Sequence, residues 1–556
     1  MIRNQALGKH ILNIMETALE LSAGLSDCLH QNQPDLFHKT AQELMNNLLM
    51  IQGISGQLKE EERALNLPAA SASVLSSLQE IVNCSTADMH KALQKIENEL
   101  IPLTEEMKIN FFFWGTAYPD EAKMKHYYEQ DRFRLFTNKH IVAGEAGGVY
   151  QYDVSIVITA FNKLEVTKLC IDSLMKYLPR TLNYELILVN HGSNDGTKEF
   201  FEQLKPDKQL DIAVNGGGSA AVNRIIEGKY AVCISNDIIL TEHAIENLYQ
   251  CIASDDSIAW VVPTTPNISN LQSIPADYNN LDGLFSFAAK NNQSDPTRWE
   301  QRVRLCNPMD IRRMSSFLDA GCFSYYVSTE SMQFPDDKLS LLLRRKGYKL
   351  MLAKDAYCHH FGSITLKDEI TQKNVYDFYL SGRKAFFDAF GVDPWGLGFC
   401  FDYPLFENFY FKKTGHIDIM GINCGLGSNS LKIKEALKET AKNTDVYLVN
   451  CTSDDRFVPD LRGISDEVIL FTDWFTLFPP KQNAARYDYI LVEDGLDGQE
   501  NSHQIIEAIL TALKSGGFFF ARLRDQPLID WIKTEYQNVQ IIRSDTENDQ
   551  WIVCAK

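Results

Sequence analysis

The sequence lacks any pair of cysteines at the CxxC spacing that zinc sites and redox motifs use. Its 12 cysteines are scattered over 556 residues. Scattered thiols exclude a clustered zinc site and a disulfide-stapled fold, because both need cysteines at close, repeated spacings. We therefore expect reduced thiols and a cytoplasmic location.

The sequence also has no apolar run long enough to span a membrane and no excess of positive charge. Its first residues, MIRNQALGKHILNIM, lack the apolar core of an export signal. The net charge of −19 excludes nucleic acid and anionic membranes as main partners, since both repel an acidic protein. We expect a protein with no transmembrane segment.

The chain is long enough, at 556 residues, for three domains of ordinary size, and its apolar fraction of 45% is that of a globular protein. Residues 1–105 predict a small helical bundle, because apolar residues recur at spacings of three and four. Residues 106–151 include an aromatic stretch and then turn-forming residues. We interpret them as a linker that packs between the bundle and the next domain.

Local signals divide the predicted bundle into separate helices. Gly53 and Pro68 predict breaks between helices. Ser85 and Asp88 have the spacing of a capping box, which predicts that a helix starts there.

Three apolar segments in the middle of the chain predict strands that each end in polar residues. They are YDVSIVITAFN from Tyr152, YELILVN from Tyr184 and YAVCISNDIIL from Tyr230. Together with the helical pattern after the first of them, they predict an open α/β sheet. Such sheets bind ligands beyond the carboxyl ends of their strands. We expect this domain to cover residues 152–396, followed by a linker at 397–415.

The polar strand ends carry a family resemblance. They read TAFN at 159–162, NHGSNDGT at 190–197, NGGGSAAVN at 215–223 and SND at 235–237. Their order and their residue types resemble the motifs of family 2 nucleotide-sugar glycosyltransferases. The resemblance covers roughly residues 152–367. It implies a GT-A-type Rossmann-like fold, a UDP-sugar donor, and Mn²⁺ or Mg²⁺.

The resemblance also assigns a metal site. Asp237 matches the last acid of the family's metal motif, and Ser235 stands where the first acid is expected. Asp237 would then be the main ligand of a hard cation that bridges the diphosphate. The alternative is that Asp237 caps the following helix. In HHFGSIT, His360 or else His359 would be a second metal ligand or contact the diphosphate, unless both are structural.

The catalytic base is assigned in the same way. FPDDKLSLLLRRKGYKL resembles the family segment that carries the general base, and counting back from Gly347 places Asp336 on that position. Asp337 is the alternative if the register shifts by one residue. Pro335, Lys338 and Leu342 depart from the family pattern. The other interpretation is a solvated acid at the start of a helix.

The nucleotide site is the least regular part of the resemblance. Where the family offers a carboxylate to uracil, this chain has Asn190 and His191. An Asn amide both donates and accepts hydrogen bonds, so it suits the uracil edge. An altered choice of nucleotide is the alternative. The resemblance implies that the donor is bound by the following residues: Thr159, Ala160, Phe161, Asn162, Asn190, His191, Asp195, Gly217, Asn223 and Asn236.

Residues 416–556 show a second α/β pattern, in which a strand leads into the Gly-rich turn GINCGLG and a helix. The order of segments resembles class I S-adenosylmethionine methyltransferases and predicts a doubly wound sheet. Where that family has an acid that binds the ribose hydroxyls, this chain has Asn450. Asp454 or Asp455, further into the loop, are the possible substitutes. S-adenosylmethionine is therefore an unlikely cofactor, and we expect a degenerate domain.

The sequence thus predicts an enzyme: a metal-dependent, inverting glycosyltransferase, hexosyl- or N-acetylhexosaminyl-specific. By analogy its acceptor is a hydroxyl of a bacterial protein, flagellin for example, or of a surface glycan. Two alternatives remain. One is a non-catalytic binding or scaffold protein with a glycosyltransferase fold, and the other is a bifunctional glycosyltransferase and methyltransferase.

Overall fold

The structure is a computed structural model. Besides Ala122, Val222 and Asn223, it describes residues 5–55, 67–85, 88–112, 149–212, 225–320, 334–362, 375–440, 444–478, 485–545 and 549–556.

The helices and strands alternate over most of the described chain, which makes the fold a mixed α/β one. In chain order, the α-helices are α1 (Gln5–His30), α2 (Pro34–Ser55), α3 (Leu67–Ser85), α4 (Met89–Lys95), α5 (Ile101–Phe112), α6 (Leu164–Lys176), α7 (Thr197–Leu204), α8 (Ala244–Ala253), α9 (Leu281–Asn291), α10 (Met314–Asp319), α11 (Pro335–Arg345), α12 (Val375–Phe390), α13 (Tyr403–Asn408), α14 (Ser428–Thr440), α15 (Val458–Arg462), α16 (Trp474–Leu477), α17 (Ser502–Ala512) and α18 (Gln526–Glu535).

In the part of the chain that the structure describes, the strands follow the N-terminal helices. In chain order they are β1 (Tyr152–Ala160), β2 (Tyr184–Asn190), β3 (Lys208–Asp211), β4 (Gly228–Ser235), β5 (Ile238–Ile239), β6 (Ile258–Thr264), β7 (Trp299–Arg302), β8 (Met309–Arg313), β9 (Lys349–Tyr357), β10 (His359–His360), β11 (His416–Ile422), β12 (Asp445–Thr452), β13 (Glu467–Leu470), β14 (Tyr487–Val492), β15 (Leu513–Leu523), β16 (Val539–Arg543) and β17 (Gln550–Ala555).

The chain divides into two compact units. The first comprises Met1–Ile239, Pro308–Leu342 and Ser363–Val392, and the second comprises Leu240–Asn307, Leu343–Gly362 and Asp393–Lys556. Among the described residues, no helix has the length and apolar character needed to cross a membrane.

The first unit starts with helices α1 to α5, which pack around a shared apolar core that includes Ile11, Leu44 and Leu78. A helix does begin at the predicted place, since α4 starts at Met89, but the capping box between Ser85 and Asp88 does not form. Ser85 ends α3, and its hydroxyl donates to the Val82 carbonyl oxygen (2.9 Å), whereas the Asp88 carboxylate accepts from the Lys91 amide and is itself the N-cap of α4.

The predicted helix breaks have different outcomes. Gly53 does not end a helix, because α2 continues through it to Ser55. Pro68 stands at the start of α3, where its missing N–H costs no hydrogen bond. The aromatic stretch of the predicted linker lies mostly outside the described residues.

The sheet of the first unit confirms the three predicted strands. Strand β1 lies between β2 and β4 and pairs in parallel with both, β3 extends the parallel set beyond β2, and β8 pairs antiparallel with β4. The β1 residues from Val154 to Ile158 are buried, as expected for a central parallel strand covered on both faces.

The second unit contains a short mixed set of strands and a larger sheet. Strand β9 pairs in parallel with β6 and antiparallel with β7. The larger sheet has the order β13-β12-β11-β14-β15-β17-β16, parallel through β15, with β17 antiparallel to both of its neighbours. Its first five strands have the 3-2-1-4-5 order found in doubly wound folds, and a methyltransferase-like identity for this domain stays a prediction.

Buried charges tie the large sheet's helix α14 to β7 and β9 within the second unit. Glu300 is 3% exposed, and its carboxylate contacts Lys432 (2.7 Å), Arg302 (2.9 Å) and Lys354 (3.3 Å). Burial alone would raise the pKa of Glu300, but these three cations outweigh it and lower the pKa to about 2. A buried pair that loses one member is strongly destabilised, so this network fixes the relative position of the helix and the strands.

Candidate active site

The candidate site of the first unit lies at the carboxyl ends of β1, β2 and β4. Strands β2 and β3 lie on one side of β1, and β4 lies on its other side. The strand order therefore reverses beside β1, and open α/β sheets bind ligands at such a point. The register places Ala160 beside Asn190 and Thr159 beside Ser235. The sheet thereby brings together the ends of all three predicted strands.

Asn162 connects the loops that follow these strands. Its φ of +54° is left-handed, a conformation that Asn tolerates better than most residues. Its backbone N–H donates to the Ser193 hydroxyl (2.9 Å), and its side-chain oxygen accepts from the Asn194 amide (3.0 Å). The Asn236 side chain donates to its carbonyl oxygen (3.1 Å). Asn162 therefore acts chiefly by positioning the neighbouring loops.

Asn190 also uses its amide within the protein. It is 3% exposed, its side-chain oxygen accepts from the Ser193 amide (2.9 Å), and its NH₂ donates to the Asp211 carboxylate (3.1 Å). Asp211 was not among the predicted residues. It ends β3, directly beside Asn190 in the parallel register.

His191 contributes a neutral imidazole. Burial lowers its pKa to about 4, so the ring carries no charge at pH 7. Its backbone N–H donates to the Ala160 carbonyl oxygen (2.9 Å). Its Nδ1 is shielded from solvent and has no hydrogen-bond partner among the described residues.

Asp195 organises two helix starts. Its carboxylate accepts from the Leu164 amide at the start of α6 (2.8 Å) and from the Thr197 hydroxyl at the start of α7 (2.6 Å). Burial tends to raise the pKa of Asp195, but the bonds from Thr197 and Leu164 hold it below its ordinary value. These contacts make Asp195 a positioning residue in the described structure.

Asn236 and Asp237 form the turn between β4 and β5. The Asn236 side chain donates to the Thr167 hydroxyl (2.8 Å), and its backbone N–H donates to the Thr159 carbonyl oxygen (3.1 Å). These bonds fix the turn against β1 and α6. Asp237 is 5% exposed and follows directly, so its carboxylate lies at the carboxyl end of the parallel strands.

The donor set at this turn fits a cation that takes most of its ligands from a diphosphate. Within the described part of the chain, no group of three or more His, Cys, Asp or Glu side chains is arranged to hold a metal. Mg²⁺-type sites need no such group, because they use one or two carboxylates together with substrate phosphates and water. Asp237 supplies one carboxylate of that kind.

Asp336 and Asp337 both lie in the first turn of α11. A helix N-terminus stabilises the ionised form of a carboxylate. Asp337 is only 2% exposed, whereas Asp336 is half-buried and accessible to solvent. Of the two, Asp336 has the access that a base acting on a bound acceptor needs.

The two predicted histidines lie in the second unit, on the short strand β10. The Nδ1 atom of His359 hydrogen-bonds the Tyr278 hydroxyl (2.7 Å), which also bonds the Tyr357 hydroxyl (2.7 Å). Burial lowers the pKa of His359. His360 is 4% exposed, and its carbonyl oxygen accepts from the Asn267 side chain (2.9 Å). His359 is thus committed to an aromatic and hydroxyl cluster.

The remaining residues that were predicted to bind the nucleotide lie as follows. Thr159 and Ala160 end β1, Phe161 is half-buried in the loop after it, and Asn223 is buried. Gly217 lies outside the described residues.

The second unit has its own crevice candidate, at the Gly-rich turn between β11 and α14. The segment before the large sheet occupies this turn. The Leu426 amide donates to the Leu397 carbonyl oxygen (3.2 Å), and the Ser428 amide donates to that of Gly398 (3.0 Å). A Cβ on Gly398 would lie 1.9 Å from the Cys424 carbonyl oxygen, so the two backbones are in direct contact.

The predicted ribose position is buried in this domain. Asn450 is 0% exposed and lies inside β12, two residues before its end. Its side-chain NH₂ donates to the Ser465 hydroxyl (2.8 Å). In the loop, Asp454 pairs with Arg456 (2.5 Å). Neither side chain is placed as a free acceptor for ribose hydroxyls.

Glu493, after β14, is a buried acid in the same region. It is 2% exposed, and the Asn429 side chain donates to it (2.9 Å). Burial raises the pKa of Glu493 to about 7, and nearby Asp402 adds to the effect while Arg522 opposes it. A folded-state pKa above the unfolded value costs stability as the pH rises from about 4.5 to about 7.

We expect Glu493→Gln to raise the thermal midpoint of the full chain at pH 8 and to leave it unchanged near pH 4.5. The reason is that the variant removes the cost of ionising a buried acid, about 3 kcal/mol for this shift. Thermal melts between pH 4.5 and 8 measure the difference. Exposed Glu500→Gln is the control and should melt like the parent at every pH. Equal pH profiles for Glu493→Gln and the parent would contradict the assignment.

Comparisons with known proteins give one family match. Residues 155–302 match the model of glycosyl transferase family 2. A search of curated protein sequences found no match.

Two solved structures are similar at low identity. One is GalNAc-T7 with UDP, GalNAc and Mn²⁺, at 13% identity and a TM-score of 0.31, over 38% of this chain and 43% of that one. The other is the mannosyltransferase PcManGT from Pyrobaculum calidifontis with GDP-Man and Mn²⁺. It has 13% identity and a TM-score of 0.28, over 46% of this chain and 67% of that one. The similarity thus spans less than half of the first protein's length. The family match is the firmer finding: the chain carries a glycosyl transferase family 2 domain at residues 155–302.

Proposed function

We propose that the chain is a metal-dependent, inverting glycosyltransferase that moves a sugar from a UDP-sugar to an acceptor hydroxyl. The observation that carries the proposal is that the carboxyl ends of β1, β2 and β4 lie side by side, with buried Asp237 in the turn after β4, inside the family 2 match. A bacterial protein or a surface glycan remains the proposed acceptor, on analogy alone.

We assign a residue of the chain to each step of the proposed reaction. Asp336 accepts the proton of the acceptor hydroxyl while that oxygen attacks the anomeric carbon from the face opposite the diphosphate. The bond from the anomeric carbon to the diphosphate oxygen breaks, and its electron pair leaves with UDP. A divalent cation held by Asp237 would supply positive charge to the diphosphate. Asn162 and Asn236 keep the loops around the donor in place.

Nucleotide binding tests the proposal directly. A ligand that binds only the folded state raises the thermal midpoint of the full chain. We expect UDP with Mn²⁺ to raise it by several degrees, and each alone to do less. Release of UDP from a UDP-sugar would then demonstrate donor use. If neither UDP nor GDP shifts the midpoint with Mn²⁺ present, a non-catalytic protein becomes the better interpretation.

For the C-terminal domain we propose a scaffold role without catalytic activity of its own. Its sheet order suits a methyltransferase-like fold, but the backbone of Leu397 and Gly398 uses the amide groups of the Gly-rich turn. Within the second unit, the Arg344 guanidinium donates to the Asp460 carbonyl oxygen (2.9 Å) and Arg345 pairs with the Asp460 carboxylate (3.2 Å).

This proposal predicts that S-adenosylmethionine does not bind the full chain. Its nucleoside would need the space and the amides that the segment from Leu397 to Phe399 occupies. Calorimetry with up to millimolar cofactor should give no saturable heat, whereas UDP with Mn²⁺ serves as the positive control. A micromolar dissociation constant for S-adenosylmethionine would contradict the proposal and favour a bifunctional enzyme.

A further inference from the structure

The Asp211 carboxylate lies at the end of β3, beside the predicted nucleotide residue Asn190. Asp211 is the last residue of its strand and pairs in register with Asn190, the last residue of β2. Its side chain is 36% exposed, so one face of the carboxylate is open to solvent. It therefore lies at the carboxyl edge of the parallel strands, where a ligand approaches the sheet.

Neighbouring groups hold the Asp211 carboxylate in a defined orientation. Asn190 donates to its Oδ1 atom (3.1 Å), Gln209 donates to its Oδ2 atom (3.3 Å), and the Lys198 ammonium lies 3.7 Å from Oδ2. The Asn190 side chain is itself fixed from the other side by the Ser193 amide (2.9 Å). An acid that served only solubility would not need these hydrogen bonds. A side chain that recognises a ligand does need a fixed orientation.

The groups beside Asp211 do not carry a negative charge. Asn190 is neutral and already uses its oxygen and its NH₂ group within the protein. His191 is neutral because burial lowers its pKa to about 4. Among the described residues at the ends of β2 and β3, Asp211 is thus an acid that a bound base would meet.

We infer that Asp211 selects the nucleobase of the sugar donor, an inference that rests on the proposed function. Its carboxylate accepts a hydrogen bond from a ring N–H, which uracil has at N3 and guanine at N1. Cytosine and adenine have a lone pair at the corresponding atoms, and a carboxylate repels it. A site that forms a hydrogen bond to a polar group of one base discriminates against the analogue that lacks this group.

The test compares four nucleotides on the full chain. The dissociation constants of UDP, GDP, CDP and ADP are measured by calorimetry with Mn²⁺ present, for the parent and for Asp211→Asn. The parent should bind UDP or GDP at least about tenfold more tightly than CDP and ADP. In Asp211→Asn the preference should fall by about tenfold or more, since an amide both donates and accepts. Whether UDP or GDP binds best identifies the base.

Asp207→Asn is the matched control. Asp207 precedes the amino end of the same strand, and its carboxylate accepts from the Leu186 amide (2.8 Å), so the substitution perturbs β3 from its other end. It should leave the preference of the parent unchanged.

The outcomes separate this inference from the proposed function. If the parent binds none of the four nucleotides, the proposed function fails and the inference with it. If the parent prefers UDP or GDP and Asp211→Asn keeps the same ratios, the inference is wrong and the proposed function stands. A uniform weakening of all four nucleotides by Asp211→Asn also overturns the inference, because a merely structural role would produce it.

Discussion

Asp336→Asn should lower the turnover of sugar transfer by a factor of about 10² to 10⁴, the usual range for loss of a general base. The acceptor hydroxyl then attacks with its proton still attached, because an amide does not take up that proton at neutral pH. Donor affinity should change little, since the proposed role of Asp336 is toward the acceptor. Transfer assays give the turnover, and calorimetry with UDP and Mn²⁺ gives the donor affinity.

Asp337→Asn is the natural control, because it changes the same side chain one position further along α11. Asp337 is 2% exposed, so its substitution should lower the thermal midpoint more than the turnover. If Asp337→Asn proves inactive while Asp336→Asn keeps normal turnover, the assignment is shifted by one residue. If both keep normal turnover, α11 does not carry the base.

The sheet of the first unit was largely predictable from the sequence. Apolar segments that begin at Tyr152, Tyr184 and Tyr230 form β1, β2 and β4, because a strand buried on both faces needs a continuous apolar run. The strand ends then place Thr159, Asn190 and Ser235 side by side without further information. The predicted breaks between helices were less reliable. Gly53 is accommodated inside α2, at the modest cost that glycine has in a helix.

What the sequence did not reveal depends on contacts between distant residues. β3 is four residues long and mostly polar, so nothing in KQLD marks Asp211 as a neighbour of Asn190. An acid at the end of a short segment, 21 residues after a strand that ends in Asn, is only a weak signal. The occupation of the Gly-rich turn by Leu397 and Gly398 was equally hidden, because a motif shows which amides exist but not what they bond.

Those distant contacts also change the meaning of a substitution. Asn450 looked like a weakened ribose ligand in the sequence, yet its side chain is buried inside the sheet beside Gly421. A Cβ at Gly421 would lie 2.2 Å from the Asn450 side-chain oxygen, so the amide fills the space that this glycine leaves. In this structure Asn450 is a packing residue, and its identity says nothing about a cofactor.

Asp237→Asn should remove the dependence of UDP binding on Mn²⁺. In the proposed function, the buried Asp237 carboxylate at the β4 turn supplies an anionic oxygen to a cation bound to the diphosphate. Substitutions next to metal ligands commonly weaken metal binding by 10- to 100-fold, so loss of a direct ligand should cost about 100-fold or more. An amide is similar in shape but neutral, which separates the effect of charge from that of packing.

Calorimetry of UDP with and without Mn²⁺, on the full-length parent and on Asp237→Asn, measures this dependence. The matched control is Asp153→Asn, at the amino end of β1, where the carboxylate accepts from the Asn183 amide (3.0 Å). This control keeps the sheet and removes an acid from the opposite edge, so it should bind UDP and Mn²⁺ as the parent does. Mn²⁺-dependent tightening that survives in Asp237→Asn would show that the cation is held by other groups. The charge on the diphosphate would then have to be balanced by residues outside the β4 turn.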